Sequence, residues 1–343
     1  MSAVASIREG AGQVPIAFTN RQGLRLYGIL HMPAPEVRRS VGIVLLSPGV
    51  KMRVGPQCLY RRMTDRFVRL GFPVFRFDFY GLGDSEGELT EVALADVYNH
   101  IEVGRFVDDT LDGLDWMERH CGLSRFVVSG LCGGAITGLL AAGRDPRIAG
   151  LLSLGITPVL ASRAANPGAY MTTGQLHDLR RGYLRKLIDP MSWWRLLTLR
   201  SEYDLIWTTL FEPLKRAFRK RAAVTATATA APAADDNANP LFPPAFFHMI
   251  DTDRPMLLVF SGGDRLYWEF QEKFEARYVE RLKAAHAGYK VHVVPNANHV
   301  LSLPEWEDDM LRVAQQWLDE KFPRTSPPGH GRTDIAATRT RAA

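Results

Sequence analysis

Between residues 125 and 142 a short apolar run, Arg125–Ser129, passes through Gly130-Leu131-Cys132-Gly133-Gly134 into an apolar helical stretch from Gly133 to about Ala142. This passage constrains the fold more than any other feature of the chain. A strand that turns directly into a helix leaves room only for small side chains two positions before and two after the turning residue, here Gly130 and Gly134. The residue at the turn is presented at the helix N-terminus. There the helix dipole and free backbone N–H groups favour negative charge, which suits both a thiolate and the oxyanion of an acyl intermediate. A free cysteine is more often a small buried core residue. The turn makes Cys132 a candidate nucleophile, whereas Cys58 and Cys121 read as ordinary helical residues.

A cysteine nucleophile needs a base, and the base needs an orienting group. His299 follows the last expected strand in Pro295-Asn296-Ala297-Asn298-His299, and Asp264 follows the preceding one in Ser261-Gly262-Gly263-Asp264. Both therefore fall at the C-terminal edge of a parallel sheet, where the turn at Cys132 also opens and where ligands bind in open α/β sheets. The oxyanion donors expected from this arrangement are the N–H groups of Gly133 and of Val50, the latter in the glycine turn Pro48-Gly49-Val50-Lys51. His292 lies inside a strand and reads as structural, and His177 and His248 read as surface residues or pocket lining. Asp78 and Asp84, in RFDFYGLGDSEG at residues 76–87, read as turn formers that pin a loop beside the site.

Alternation of short apolar runs with amphipathic stretches predicts a mostly parallel sheet flanked by helices. Strands are expected at Leu24–His31, Val41–Ser47, Pro73–Phe77, Arg125–Ser129, Ala149–Leu154, Pro255–Phe260 and Lys290–Val294. Helices are expected at Leu59–Leu70, Val103–Arg119, Gly133–Ala142, Trp268–Ala285 and Pro304–Phe322. The rhythm breaks over residues 158–250, which predict a helical lid inserted between core parts 1–157 and 251–322, with helical segments at Met191–Leu199 and Tyr203–Phe218. An Ala/Thr-rich stretch at 222–239 and the polar tail 323–343 are expected to be disordered. Trp193, Trp194 and Trp207 are candidate lining residues of an acyl pocket beneath the lid.

Three cysteines make a sparse, odd set that argues against a disulfide framework and fits a reducing cytoplasm. No run approaches the length of a membrane span, and the N-terminal residues lack the pattern of a secretory signal. A net charge of +5 with no basic-aromatic motif gives no reason to expect nucleic acid. Arg163–Arg221, however, holds twelve Lys/Arg against five Asp/Glu. This is either a solvated helix face or a docking surface for an acidic acyl carrier protein, a coenzyme A tail or an anionic lipid. No ligand cluster of suitable spacing calls for a metal, and no cofactor is expected.

With Ser47-Pro48-Gly49, RFDFYGLGDSEG, GLCGG, SGGD and NANH located, the chain resembles the α/β-hydrolase superfamily over residues 13–160 and 250–322. Within it the resemblance is to the serine-aminopeptidase-like or lysophospholipase-like branch. The combination of SPGVKMRVGP with a cysteine at the turn is similar to the cysteine-bearing hydrolases that accompany exosortase and exopolysaccharide systems. The resemblance implies an α/β-hydrolase fold and a triad of Cys132, Asp264 and His299. Pro48-Gly49 stands where many relatives have His-Gly, and cysteine replaces serine, as in enzymes resembling dienelactone hydrolase. Three functions remain open on the sequence. They are an esterase or thioesterase working through an acyl-enzyme, an acyltransferase or cyclase that passes the acyl group to an amine or alcohol, and a non-catalytic ligand-binding protein on the same scaffold.

Overall fold

The computed structural model describes residues 12–161, 237–285 and 288–324. The expected helices at 191–199 and 203–218, the basic stretch 163–221, His177, Trp193, Trp194, Trp207 and nearly all of the Ala/Thr-rich run lie outside the described residues. So does the tail from residue 325.

Eight strands form one sheet: β1 (Gly12–Thr19), β2 (Arg25–Met32), β3 (Gly42–Leu46), β4 (Val74–Phe77), β5 (Phe126–Leu131), β6 (Ile148–Leu154), β7 (Met256–Ser261) and β8 (Tyr289–Val294). Their order across the sheet is β1-β2-β4-β3-β5-β6-β7-β8. β1 and β2 pair antiparallel, as do β2 and β4, and all later neighbours are parallel. Every residue of β3, β5 and β7 is buried, which is why these strands read as unbroken apolar runs: helices cover both faces. Successive residues alternate between two cores. Ile43 and Leu45 join Val127, Leu152 and Val259 against helices α1 (Leu59–Arg69) and α8 (Pro304–Lys321). Val44 and Leu46 join Val128, Leu151 and Leu258 on the opposite face, with helices α2 (Leu94–Glu102), α3 (Val107–Cys121), α4 (Gly133–Ala142) and α5 (Phe242–Asp251).

Several expectations change. The helix expected over Val103–Arg119 starts later, at Val107, as α3, and a helix that was not expected, α2, precedes it at Leu94–Glu102; the chain turns between them at Gly104 with φ +102°. The long helix expected at Trp268–Ala285 divides into α6 (Arg265–Phe270), a π-helical turn at Gln271–Glu275 and α7 (Val279–Ala284). β1 went unnoticed in the sequence because its exposed and buried residues alternate only at its C-terminal end.

Part of the stretch expected as a lid packs into the core. Phe242, Phe246, Phe247 and Met249 of α5 are buried in the core, so residues 242–250 belong to the core rather than to a lid. Asn237–Asn239, expected in a disordered run to residue 239, pair instead with Pro158–Leu160. Leu160 N–H donates to Asn237 O at 2.8 Å and Asn239 N–H to Pro158 O at 2.8 Å. Glu102 at the end of α2 anchors this pairing: its carboxylate accepts from Ala161 N–H at 2.6 Å, and its carbonyl accepts from Asn239 Nδ2 at 2.6 Å.

Candidate active site

β5 delivers Cys132 to the C-terminal edge of the sheet in a conformation that side chains rarely adopt, φ 53° and ψ −111°. Such backbone costs about 1–3 kcal/mol and persists only where the surroundings enforce it. Here Cys132 N–H donates to Leu154 O of β6 at 2.9 Å, while Cys132 O accepts from Ala135 N–H at 2.9 Å and from Ile136 N–H at 3.2 Å. A Cβ on Gly130 would lie 2.4 Å from the carbonyl carbon of Gly134, and one on Gly134 would lie 2.5 Å from Leu46 O. Nothing larger than glycine fits at either position without moving backbone.

A residue the sequence reading passed over ties this elbow to β3. Tyr60 of α1 is fully buried. Its hydroxyl donates to Leu46 O at 2.8 Å and accepts from Leu131 N–H at 2.7 Å. Burial holds the phenol well above its ordinary pKa, so it stays protonated and keeps its donor.

Asp264 and His299 come from loops after β7 and β8 that are sewn together. Gly262 N–H donates to Val294 O and Gly263 N–H to Ala297 O, both at 2.9 Å. A Cβ on Gly263 would lie 2.9 Å from Ala297 O, which explains the small residue before the acid. Asp264 Oδ2 lies 2.6 Å from His299 Nδ1. The aspartate side chain is 10% exposed and the histidine 40% exposed, so the acid is enclosed and the imidazole faces the opening. The hydrogen bond to Asp264, and then the one to Cys132, raise the His299 pKa to about 10 against the opposing effect of burial. The ring is thus held on the carboxylate with its pKa raised well above that of a free imidazole.

The loop after β3 closes on the elbow. A Cβ on Gly133 would lie 2.8 Å from Gly49 Cα and 3.0 Å from Gly49 N, so the two peptide segments that bear Gly133 and Val50 are in direct contact. Gly49 itself has φ +59°, in the turn closed by Lys51 N–H to Pro48 O at 3.1 Å. Asp78 and Asp84 hold this loop. The fully buried Asp78 carboxylate accepts from Arg53 N–H at 2.5 Å and pairs with the Arg53 guanidinium. The same guanidinium reaches Asp84 at 2.6 Å, and Asp84 N–H donates to Asp78 at 3.2 Å. Both carboxylates are committed to the clamp. Arg53 lies in SPGVKMRVGP, but its partners in the later run RFDFYGLGDSEG could not be assigned to it from the sequence, because the sheet brings them together.

The other histidines lie elsewhere. His292 on β8 bonds Asp309 of α8 at 2.8 Å, and His248 is exposed on α5. Among the described residues no group of three or more His, Cys, Asp or Glu could hold a metal ion, and no helix is long and apolar enough to cross a membrane. All three cysteines are free.

A mostly parallel sheet carrying an elbow after β5, an acid after β7 and a histidine after β8 defines the α/β-hydrolase fold. The model of the alpha/beta hydrolase family matches residues 43–316, and the chain belongs to that family. Among solved structures it is similar to an esterase from Pyrococcus furiosus, with 15% identity, TM-score 0.54, 94% of this chain and 95% of that one covered. It is also similar to an α/β serine hydrolase without lid from Xanthomonas campestris, with 13% identity, TM-score 0.50 and coverage of 92% and 98%. A haloalkane dehalogenase from Agrobacterium tumefaciens matches at 16% identity, TM-score 0.50 and coverage of 92% and 99%. At these identities the likeness establishes the fold alone. Among curated proteins no sequence match is found.

Proposed function

We propose that the protein hydrolyses esters or thioesters through a covalent acyl-enzyme on Cys132, with His299 as general acid and base and Asp264 as its orienting partner. One observation carries this reading: a strained elbow cysteine shares a sheet edge with a histidine held 2.6 Å from a nearly enclosed aspartate. With the proton on His299, the Cys132 thiolate attacks the acyl carbonyl. The N–H groups of Gly133 and Val50 receive the developing oxyanion. His299 then gives its proton to the departing alkoxide or thiolate, leaving a neutral imidazole and an acyl thioester on Cys132. The imidazole next takes a proton from water, the hydroxide adds to the thioester, and the thiolate departs as His299 regains its charge.

A thioester intermediate also favours a second outcome, since an amine or alcohol can intercept it in place of water. The excess of basic residues over Arg163–Arg221 supports delivery of the acyl group by coenzyme A or an acidic carrier protein. The cysteine at the elbow and the motif SPGVKMRVGP support a place beside the cysteine-bearing hydrolases of exosortase and exopolysaccharide systems.

The test is intact mass after incubation with short- and long-chain acyl thioesters, for the wild type and for Cys132→Ala and His299→Ala. An acyl adduct that is absent from Cys132→Ala is the expected result. Its lifetime in water, with and without added amines or alcohols, separates hydrolase from transferase. No adduct and no turnover across the panel would overturn the reading in favour of ligand binding without catalysis.

A further inference from the structure

Helix α2 lies across the contact between the loop after β3 and the elbow, and two of its side chains enter that contact. Ile101 is fully buried, and its Cγ2 would lie 3.0 Å from a Cβ on Gly133. One turn earlier in the chain, Tyr98 lays its ring edge on Gly49. A Cβ there would meet Tyr98 Cε1 at 2.9 Å and the phenolic oxygen at 3.4 Å. The hydroxyl is thus beside the peptide that leads into Val50. Tyr98 is half-buried, and its hydroxyl makes no hydrogen bond to another described residue. A half-buried phenolic O–H without a partner among the described residues is a free donor.

We propose that Tyr98 is a catalytic residue: its phenolic O–H donates a hydrogen bond to the acyl oxygen of the substrate, as a third donor beside the N–H groups of Gly133 and Val50. The proposal rests on the reading of Cys132 as the nucleophile.

The surroundings suit a donor. Burial first, then the proximity of Cys132 and Glu102, raise the phenol above its ordinary pKa, with Arg265 opposing them. A phenol raised by burial keeps its proton, and with it its donor, through the range in which an acyl-transfer enzyme works. The loop at Pro48-Gly49 brings no polar side chain of its own to this turn, and a hydroxyl from α2 stands over it. Glycine at 49 is what lets the ring come so close.

Tyr98→Phe and Tyr98→Ala separate donation from packing, because Phe keeps the ring on Gly49 and removes only the hydroxyl. Acylation of Cys132 would be followed with p-nitrophenyl butyrate, by the p-nitrophenolate burst and by intact mass. Binding of a trifluoromethyl ketone carrying the same acyl chain would be measured alongside, since its adduct places an oxyanion in the hole. For Tyr98→Phe the expected result is a fall in the acylation rate of about 10- to 100-fold, with KM nearly unchanged, and a comparable loss of ketone affinity. An unchanged melting temperature would accompany it. Wild-type rates and ketone affinity in Tyr98→Phe would overturn the proposal and leave the nucleophile standing, whether or not Tyr98→Ala is impaired. Butyrylation that is absent from the wild type, or that persists in Cys132→Ala, would overturn the reading of Cys132 and the role of Tyr98 with it.

Discussion

Replacing Tyr60 by Phe removes one oxygen from the interior and leaves the ring where it is. That oxygen accepts from Leu131 N–H at 2.7 Å and donates to Leu46 O at 2.8 Å, joining the residue before Cys132 to the end of β3. The site is fully closed to solvent, so no water replaces the hydroxyl. A buried N–H left without an acceptor costs about 1–3 kcal/mol. The Leu46 carbonyl also loses a partner, which places the total near the middle of that range, about 2 kcal/mol. At roughly 2–4 °C per kcal/mol for large domains, the melting temperature should fall by about 4–8 °C. Calorimetry on wild type and Tyr60→Phe would read the shift, and amide exchange at Leu131 should become faster in the variant because its protecting bond is gone. The elbow loses one of its fastenings, so acylation of Cys132 should fall as well. A melting temperature within about 1 °C of wild type, together with unchanged exchange at Leu131, would refute the reasoning, since a sealed N–H cannot lose its only acceptor without cost.

Gly134→Ala should be far more damaging than an ordinary helix substitution that favours alanine. Its Cβ would sit 2.5 Å from Leu46 O and 2.9 Å from Ser47 O, and the backbone must move; a loss above about 3 kcal/mol or a failure to accumulate as folded protein is expected in urea unfolding. Glu102 is pushed up to about 7 by burial, opposed by the Ala161 N–H, so the stability it contributes is present below its ordinary pKa of 4.5 and declines as pH rises through about 7. Glu102→Gln keeps an acceptor for Ala161 and should flatten that decline, and identical stability–pH curves for the two proteins would contradict the assignment. His299 is raised to about 10 by Asp264 and then Cys132, so its contribution is complete below 6.5 and is lost as pH climbs through about 10. The melting-temperature gap between wild type and His299→Gln should therefore narrow from about pH 7 to about pH 11, by a modest amount because the ring is partly in solvent.

The passage from Arg125 to Ala142 was enough to place Cys132, because a strand-to-helix turn leaves its mark in adjacent residues: glycine where a Cβ would strike backbone and an apolar run on either side. Asp264 and His299 could be nominated for a related reason, since each follows a strand of a parallel sheet and all such strands end on one edge. Residues fully covered on both faces, as in β3, β5 and β7, announce themselves as apolar runs. Local chemistry also misled where a single residue decided the path. The turn at Gly104 delays the helix expected from Val103 until Val107, where α3 begins, and the π-helical turn at Gln271–Glu275 breaks another.

What the sequence determined by itself is the set of interactions whose partners are close along the chain or implied by strand ends: the elbow, the order of the candidate triad and the two-layered core. What only the tertiary structure decided is every contact between distant segments. Tyr60 bridges β3 and β5, Arg53 joins Asp78 and Asp84, Glu102 anchors residues 161 and 239, and Tyr98 reaches Gly49. No local pattern pairs these residues with their partners, because a hydrogen bond or a packing contact depends on where two segments meet in space. That meeting is set by the sheet order, in which β3 lies between β4 and β5, and by the helices laid over it.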